Sequence, residues 1–361
     1  METIEQKHQT INLAEFLSVC IYLAEESGKI IREVHKSGDI GTQNKDFDQG
    51  PVTIADLRVQ KNIEENLKAL YPTLMIQGEE APETYSQYEA TIKPEDIPKD
   101  FMKTEMLNQS HKDRMQFLES VSETFKDETY EFPFETFSTE NAIVWIDPLD
   151  GTNDFVKGNL SAVTVLIGLS LNGVSKLGIV HNPFSEADPK LGKTTVGSLE
   201  HGVYELDYNE NFTKTELLAR SPRLLQPFNP EEQPSEDHVI TVAASLSHFS
   251  QQLKEFIERS QPVEIKRIGG AGHKCCSVAT GVVDSYMHPT WGLSYWDLCA
   301  SESIIKGMGG KTTNVLLERL TYHKTEHPKI KGLIIAKNAR YHNLITSRLG
   351  QTFLQAVSKF F

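Results

Sequence analysis

Between residues 13 and 31, Leu13, Phe16, Leu17, Cys20, Leu23, Ala24 and Ile31 recur at the three-and-four spacing of one helix face, which predicts a long amphipathic helix over 11–37. It stops at Ser37-Gly38. A second stripe, Val59, Ile63, Leu67 and Leu70, opens at Asp56 and is closed by Tyr71-Pro72. Leu74-Met75-Ile76-Gln77 reads as a short strand leading into Gly78-Glu79-Glu80. From Ala81 to about Asn141 the chain is acidic, weakly periodic and interrupted by Pro82, Pro94, Pro98 and Pro133, as expected of an inserted, partly helical surface excursion.

The pattern then shortens to strands. Ala142 to Ile146 predicts a buried strand that Pro148 prevents from continuing as a ladder, and Gly151 allows a tight turn into a helical stretch. Asn172-Gly173 between the β-rich runs Val163–Ser170 and Val174–Val180 is a hairpin signal, so the sheet is at least partly antiparallel. Prolines at 189, 222, 227, 230 and 234 break up the next stretch, which places a subdomain boundary near 185 and predicts units of 1–185 and 186–361. Helical patterns return at Cys275–Val282 and Leu298–Met308. The fold class is therefore mixed α/β (α+β).

Composition narrows the class. A chain of 361 residues with 39% hydrophobic and 24% charged residues can bury two subdomain cores. No run approaches the roughly 20 apolar residues of a membrane span. Met1 to His8 lacks the basic and apolar regions of a leader, which reads as a cytoplasmic protein with no membrane partner. A net charge of −14 argues against a nucleic-acid polymer as partner. Cys20, Cys275, Cys276 and Cys299 lack zinc spacing and read as buried thiols. His181, His201 and His288 read as surface or capping residues.

Asp147 and Asp150 flank Pro148 and Leu149 at a strand end, where two carboxylates repel unless a cation lies between them. Hard carboxylate oxygens with the Leu149 carbonyl suit Mg²⁺. The same residues suit a turn in which each Asp bonds its own backbone, Asp56 and Asp297 suit helix N-caps, and Glu79 suits a solvated loop. What favours chemistry is their coincidence: Glu79, Asp147, Asp150 and Asp297 each fall at a strand-to-helix junction, where α/β layers place ligands. Such a cluster calls for two or more Mg²⁺ ions roughly 3.5–4 Å apart, an arrangement suited to phosphoryl transfer to water. The Thr152 hydroxyl, bonded to Asp56, would orient and deprotonate that water. Gly269 to Lys274 brings amides and a lysine to a helix start, a place for an anion or merely for close packing.

Gly-Glu-Glu at 78–80, Trp-Ile-Asp-Pro-Leu-Asp-Gly-Thr at 145–152 and Trp-Asp-Leu-Cys-Ala-Ser-Glu at 296–302 resemble the signature blocks of the lithium-inhibited, Mg²⁺-dependent inositol monophosphatase superfamily. Within it the chain is most similar to the 3′(2′),5′-bisphosphate nucleotidases, through Gly38–Gly41, Val163–Gly168 and Arg267–Lys274. The resemblance implies a five-layer α/β/α/β/α sandwich of two subdomains, of the inositol monophosphatase and fructose-1,6-bisphosphatase kind. It implies two to three Mg²⁺ ions on Glu79, Asp147, Asp150, Asp297 and the Leu149 carbonyl, with Asp56 and Thr152 activating water. Gly151, Thr152, Ser245, His248, Gly270 and Lys274 become substrate contacts, and the substrate a small phosphate ester, adenosine 3′,5′-bisphosphate. Leu246 stands where the family has an arginine, and His273 where asparagine is common. The runner-up is an inositol polyphosphate 1-phosphatase acting on inositol 1,4-bisphosphate; Asp-Gly-Thr at 150–152 and the Gly-Gly-Ala-Gly-His-Lys stretch favour the nucleotidase. A catalytically silent phosphate- or metal-binding module would be expected to have lost ligands, and none is missing.

Overall fold

The first apolar stripe becomes helix α1 (Leu13–Ser37), begun by the Glu15 amide donating to the Asn12 side chain at 3.0 Å. The computed structural model describes residues 8–45, 50–126, 135–325 and 328–357; residues 1–7, which bear on a leader, and Pro133 lie outside them. Strands β1 (Thr10–Asn12) and β5 (Thr136–Ser138) pair, as do β2 (Gln43–Asn44) and β3 (Pro51–Val52). The remaining early strands, β4 (Met75–Gly78), β6 (Ala142–Asp150), β7 (Thr164–Leu171), β8 (Val174–Asn182), β9 (Leu191–Ser198), β10 (Gly202–Asn209) and β11 (Arg223–Leu224), form one sheet in the order 11-10-9-8-7-6-4. Only β4 and β6 pair in parallel. Asn172 and Gly173 turn the β7–β8 hairpin with φ of 52° and 77°, as the dipeptide predicts. Helices α1 and α2 (Ile54–Leu70) cover one face, burying Leu17, Leu23, Val59 and Ile63 with Val144, Ile146, Val165 and Ile179.

Strands β12 (Ile240–Ser245), β13 (Val263–Ile268), β14 (Ser285–His288), β15 (Lys311–Thr313) and β16 (Leu333–Ala336) make a second sheet, ordered 13-12-14-16-15. Here β12 runs parallel to both β13 and β14. Helices α9 (Ala271–Ala279) and α10 (Tyr295–Gly307) fill the space between the two sheets, with Val278, Leu298, Cys299 and Ile304 in one cluster with Trp145, Leu166 and Tyr286. Helices α8 (Gln251–Glu258), α11 (Ala339–Leu349) and α12 (Gln351–Val357) close the outer face around Phe256, Ile334 and Ile345. The five alternating layers follow. All four cysteines are free thiols, and Cys276 alone is only half-buried.

Three expectations are corrected. Strand β6 does not stop before Pro148: the pairing shifts between Asp147, opposite Leu166, and Asp150, opposite Thr164. That bulge gives a residue without an N–H an unpaired place. The first sheet runs on to Leu224, so the passage to the second sheet falls between 224 and 240 rather than near 185; prolines at 189 and 222 sit in loops within one sheet. The insert, with α3 (Pro82–Tyr85), α4 (Thr104–Asp113) and α5 (Met115–Val121), is more than a surface excursion. It buries Ile97, Met102 and Leu107 in the first core, and Arg114 donates to the carbonyls of Leu199 and Gly307 at 3.2 and 2.8 Å. Two short helices, α6 (Thr152–Val156) and α7 (Lys214–Ala219), complete the set. Among the described residues no helix is long and apolar enough to cross a membrane.

Candidate active site

Strand β6 is buried along its whole length and ends by delivering Asp147 and Asp150 to the gap between the sheets. Asp297 reaches the same point from the first turn of α10, and these three carboxylates lie within 4.8 Å of one another. Asp147 turns its Oδ1 back to accept the Leu149 amide at 3.1 Å. Asp150 accepts three hydrogen bonds, from the Ala271 and Gly272 amides at 2.8 and 2.7 Å and the Thr164 hydroxyl at 2.8 Å. The start of α9 therefore already holds an anion, and the anion is Asp150 from the opposite sheet.

Asp56 and Asp297 satisfy two readings at once. Neither is an N-cap: each is the third residue of its helix, accepting from the amide of the N-cap, Thr53 at 2.8 Å and Ser294 at 2.5 Å. One oxygen of Asp56 starts α2, and the other accepts the Thr152 hydroxyl at 3.1 Å. That hydroxyl also lies 3.0 Å from the Leu149 carbonyl. Gly151, with φ of 87°, makes the turn between them, and a Cβ there would press on the Ala162 carbonyl at 3.2 Å.

Burial is the main force on the charges. It pushes Asp56 up to about 6, with Glu79 adding to it against the Thr53 bonds, and Asp297 up to about 7 with help from Glu79 and Asp150. Asp147 is driven well above the usual carboxylate range by burial, then by Glu79, Asp150, Asp297 and Asp56. Lys45 answers part of this charge, with its ammonium 2.6 Å from Glu79 and 2.5 Å from Glu80. The triad itself gathers carboxylate and carbonyl oxygens whose burial and mutual repulsion Lys274, facing Asp150, offsets only in part, and this is the donor set of a hard divalent cation. Asp147, Asp150, Asp297 and the Leu149 carbonyl could hold one, with Glu79 at the edge.

A raised carboxylate pKa in the folded state means that the fold holds the proton more tightly than the unfolded chain. Stability is then lost as pH rises from the unfolded value near 4 through the folded one. Buried His181, His201 and His342, pushed down by burial to about 3, 4 and 3, oppose this trend in the whole protein, so the comparison must isolate Asp147. In EDTA, Asp147→Asn is expected to melt higher than wild type at pH 8, with the gap closing toward pH 4. Calorimetry across that range checks it; a constant gap, or a lower Tm at pH 8, would contradict the electrostatic account.

The expected substrate contacts converge on one side of this cluster. Ser245 ends β12 and its hydroxyl accepts the His248 amide at 3.0 Å, while the His248 ring meets the Asn153 amide group at 3.1 Å. Gly270 has φ of 64° and packs so close that a Cβ would stand 2.2 Å from the Ala162 carbonyl. Lys274 is buried, donating to the Gly270 carbonyl at 2.6 Å and facing Asp150. Sequence reasoning missed Lys45, which only the need of Glu79-Glu80 for a counter-charge would have suggested. It also missed Asp154, which accepts the Ser247 hydroxyl at 2.8 Å and so ties α6 to the far sheet. His181 and His201 are buried rather than at the surface, His181 bonded to Thr194 at 3.0 Å and His201 near Ser198 at 3.2 Å.

The model of the inositol monophosphatase family matches residues 12–351. Among curated proteins, 3′(2′),5′-bisphosphate nucleotidase 1 of Dictyostelium discoideum is 29% identical over 93% of this chain and 98% of its own length. The Homo sapiens protein of the same name is 28% identical over 93% of this chain and 94% of its own. Inositol monophosphatase II from Staphylococcus aureus MSSA476 superposes with a TM-score of 0.61 at 17% identity, covering 96% of this chain and 98% of that one, which shows a shared fold.

Proposed function

Because the chain belongs to the inositol monophosphatase family, we propose that it is a Mg²⁺-dependent, Li⁺-sensitive phosphomonoesterase that hydrolyses the 3′-phosphate of adenosine 3′,5′-bisphosphate to AMP and phosphate. The observation that carries this reading is the Thr152 hydroxyl placed between Asp56 and the Leu149 carbonyl, beside the carboxylate triad. Glu79, Asp147, Asp150, Asp297 and the Leu149 carbonyl would hold two to three Mg²⁺ ions. Bound there, Mg²⁺ supplies positive charge against the phosphoryl oxygens and lowers the pKa of a water.

The chain's own part is proton handling and orientation. Thr152 donates to Asp56 Oδ1, which leaves the Thr152 oxygen free to accept a proton from the attacking water as its own passes to Asp56. A base near pH 6 is suited to that task at neutral pH, and burial holds Asp56 at about 6. Lys45 keeps Glu79 in place. Gly151 and Thr152 would meet the cleaved phosphate at the turn into α6, and Ser245, His248, Gly270 and Lys274 would line the rest of the ligand. Full-length similarity to the nucleotidases supports a nucleotide there.

Phosphate release with Mg²⁺ from adenosine 3′,5′-bisphosphate, inositol 1,4-bisphosphate and inositol 1-phosphate is the test. The nucleotide is expected to give the highest kcat/KM, by about tenfold or more, equivalent to ~1.4 kcal/mol. A maximum on inositol 1,4-bisphosphate would move the reading to an inositol polyphosphate 1-phosphatase, and no release from any of the three would leave a silent binding module.

A further inference from the structure

The three mutually parallel strands β13, β12 and β14 end side by side. Ser245 stands opposite Ile268, and Val242 and Ala243 opposite Ser285 and Tyr286. Their carboxyl ends therefore send three loops to one edge of the sheet: 246–250 after β12, Gly269-Gly270 after β13, and 289–294 after β14. That edge is where α/β sheets take ligands. The first loop carries His248, the second abuts Gly151, and the third leads into α10 and Asp297. His288, at the root of the third loop, is pushed down to about 4 by burial first and then by the charge of Lys274, with a bond to the Trp291 backbone opposing this and His248 adding a little.

At the crest of that third loop is Trp291. It is 46% exposed, whereas Trp145 is fully buried in the core. Gly292, next to it, folds against the His288 ring, where a Cβ would lie 3.4 Å from Nε2, so the loop turns back toward the end of β14. On the neighbouring loop, after β12, Leu246 is 40% exposed. Its loop is pinned from below by Arg267, which donates to the Ser245 and Leu246 carbonyls at 2.8 and 2.6 Å and lies 4.0 Å over the Phe249 ring. A flat aromatic face and an aliphatic side chain thus stand on adjacent loops beside a site otherwise built of charges and amides. Neither brings a charge to a phosphate. A planar, weakly polar ring is what such a pair would hold, because every base offers a π-face and stacking needs no particular hydrogen-bond pattern.

We propose that Trp291 is the platform on which the base of a nucleotide substrate stacks, and that the loop between β14 and α10 thereby selects a nucleotide over an inositol phosphate. The inference rests on the nucleotidase reading and extends it to a residue that the family blocks do not include. Steady-state kinetics of wild type, Trp291→Ala and Trp291→Phe test it on adenosine 3′,5′-bisphosphate and on 1-O-methylribose 3,5-bisphosphate, which has both phosphates and no base. Trp291→Ala is expected to raise KM for the nucleotide about tenfold with kcat within about threefold, and to leave KM for the baseless ester unchanged. Trp291→Phe should recover most of the loss. Turnover of the baseless ester reports that each variant is folded. Equal KM increases on both esters, or an unchanged KM on the nucleotide, would overturn the role of Trp291 while leaving the nucleotidase reading intact. A wild-type enzyme that cleaves inositol 1,4-bisphosphate in preference to the nucleotide would overturn both.

Discussion

Asp147→Asn is expected to lower Mg²⁺-dependent phosphate release by roughly a thousandfold or more, about 4 kcal/mol of transition-state stabilisation, in a protein that still folds. The substitution keeps volume and keeps an oxygen for the Leu149 amide, and removes only charge from the triad. Since that charge is repelled by Glu79, Asp150, Asp297 and Asp56, its loss should relieve the metal-free fold rather than strain it. Activity and stability then move in opposite directions, which a general folding defect would not produce. Asp150→Asn should be equally inactive but less stable, because an amide group would turn an N–H toward the Ala271 or Gly272 amide. Activity of either variant within about tenfold of wild type, a difference of ~1.4 kcal/mol, would remove it from the set of metal ligands.

Thr152→Ala is expected to reduce kcat by about 10²- to 10⁴-fold with little change in KM, since the hydroxyl is assigned to the attacking water, while the backbone amide by which Thr152 would meet the cleaved phosphate is kept. Asp56→Asn should do the same while leaving α2 properly started, as the amide oxygen can still accept from Thr53. Thr152→Ser, which keeps the hydroxyl, should recover most of the rate. The double variant should be hardly worse than either single one. Losses that add would mean that the two side chains, 3.1 Å apart, act separately.

Much of this site was legible because its chemistry is local in the chain. Asp147, Asp150, Gly151 and Thr152 fall within six residues, and the strand-turn-helix pattern that positions them is written in the same stretch. Asp56 and Asp297 were legible as helix starts, and nothing in their own segments says that both starts meet. Lys45 could not be found that way: a single lysine in a polar loop carries no periodicity, and its partners lie 34 and 35 residues on. The glycines before Lys274 suited an anion or close packing, and the sequence could not say that the amides there are taken by the protein's own Asp150, because it is 121 residues away. The sheet boundary was misplaced for a related reason. Proline density marks loops, and a loop between antiparallel neighbours looks the same from sequence as a loop between sheets.

The way Asp150 is held bears on how the enzyme must turn over. Its carboxylate is gripped by α9, Asp154 is gripped by Ser247, and Gly270 is pressed against the Ala162 carbonyl, so three close contacts cross between the elements of the two sheets around one residue. Swinging the halves apart would strip two amides from a carboxylate of the triad at the moment when it most needs them. A cleft tied in this way resists opening as two halves, and the enzyme is expected to work with its jaws fixed.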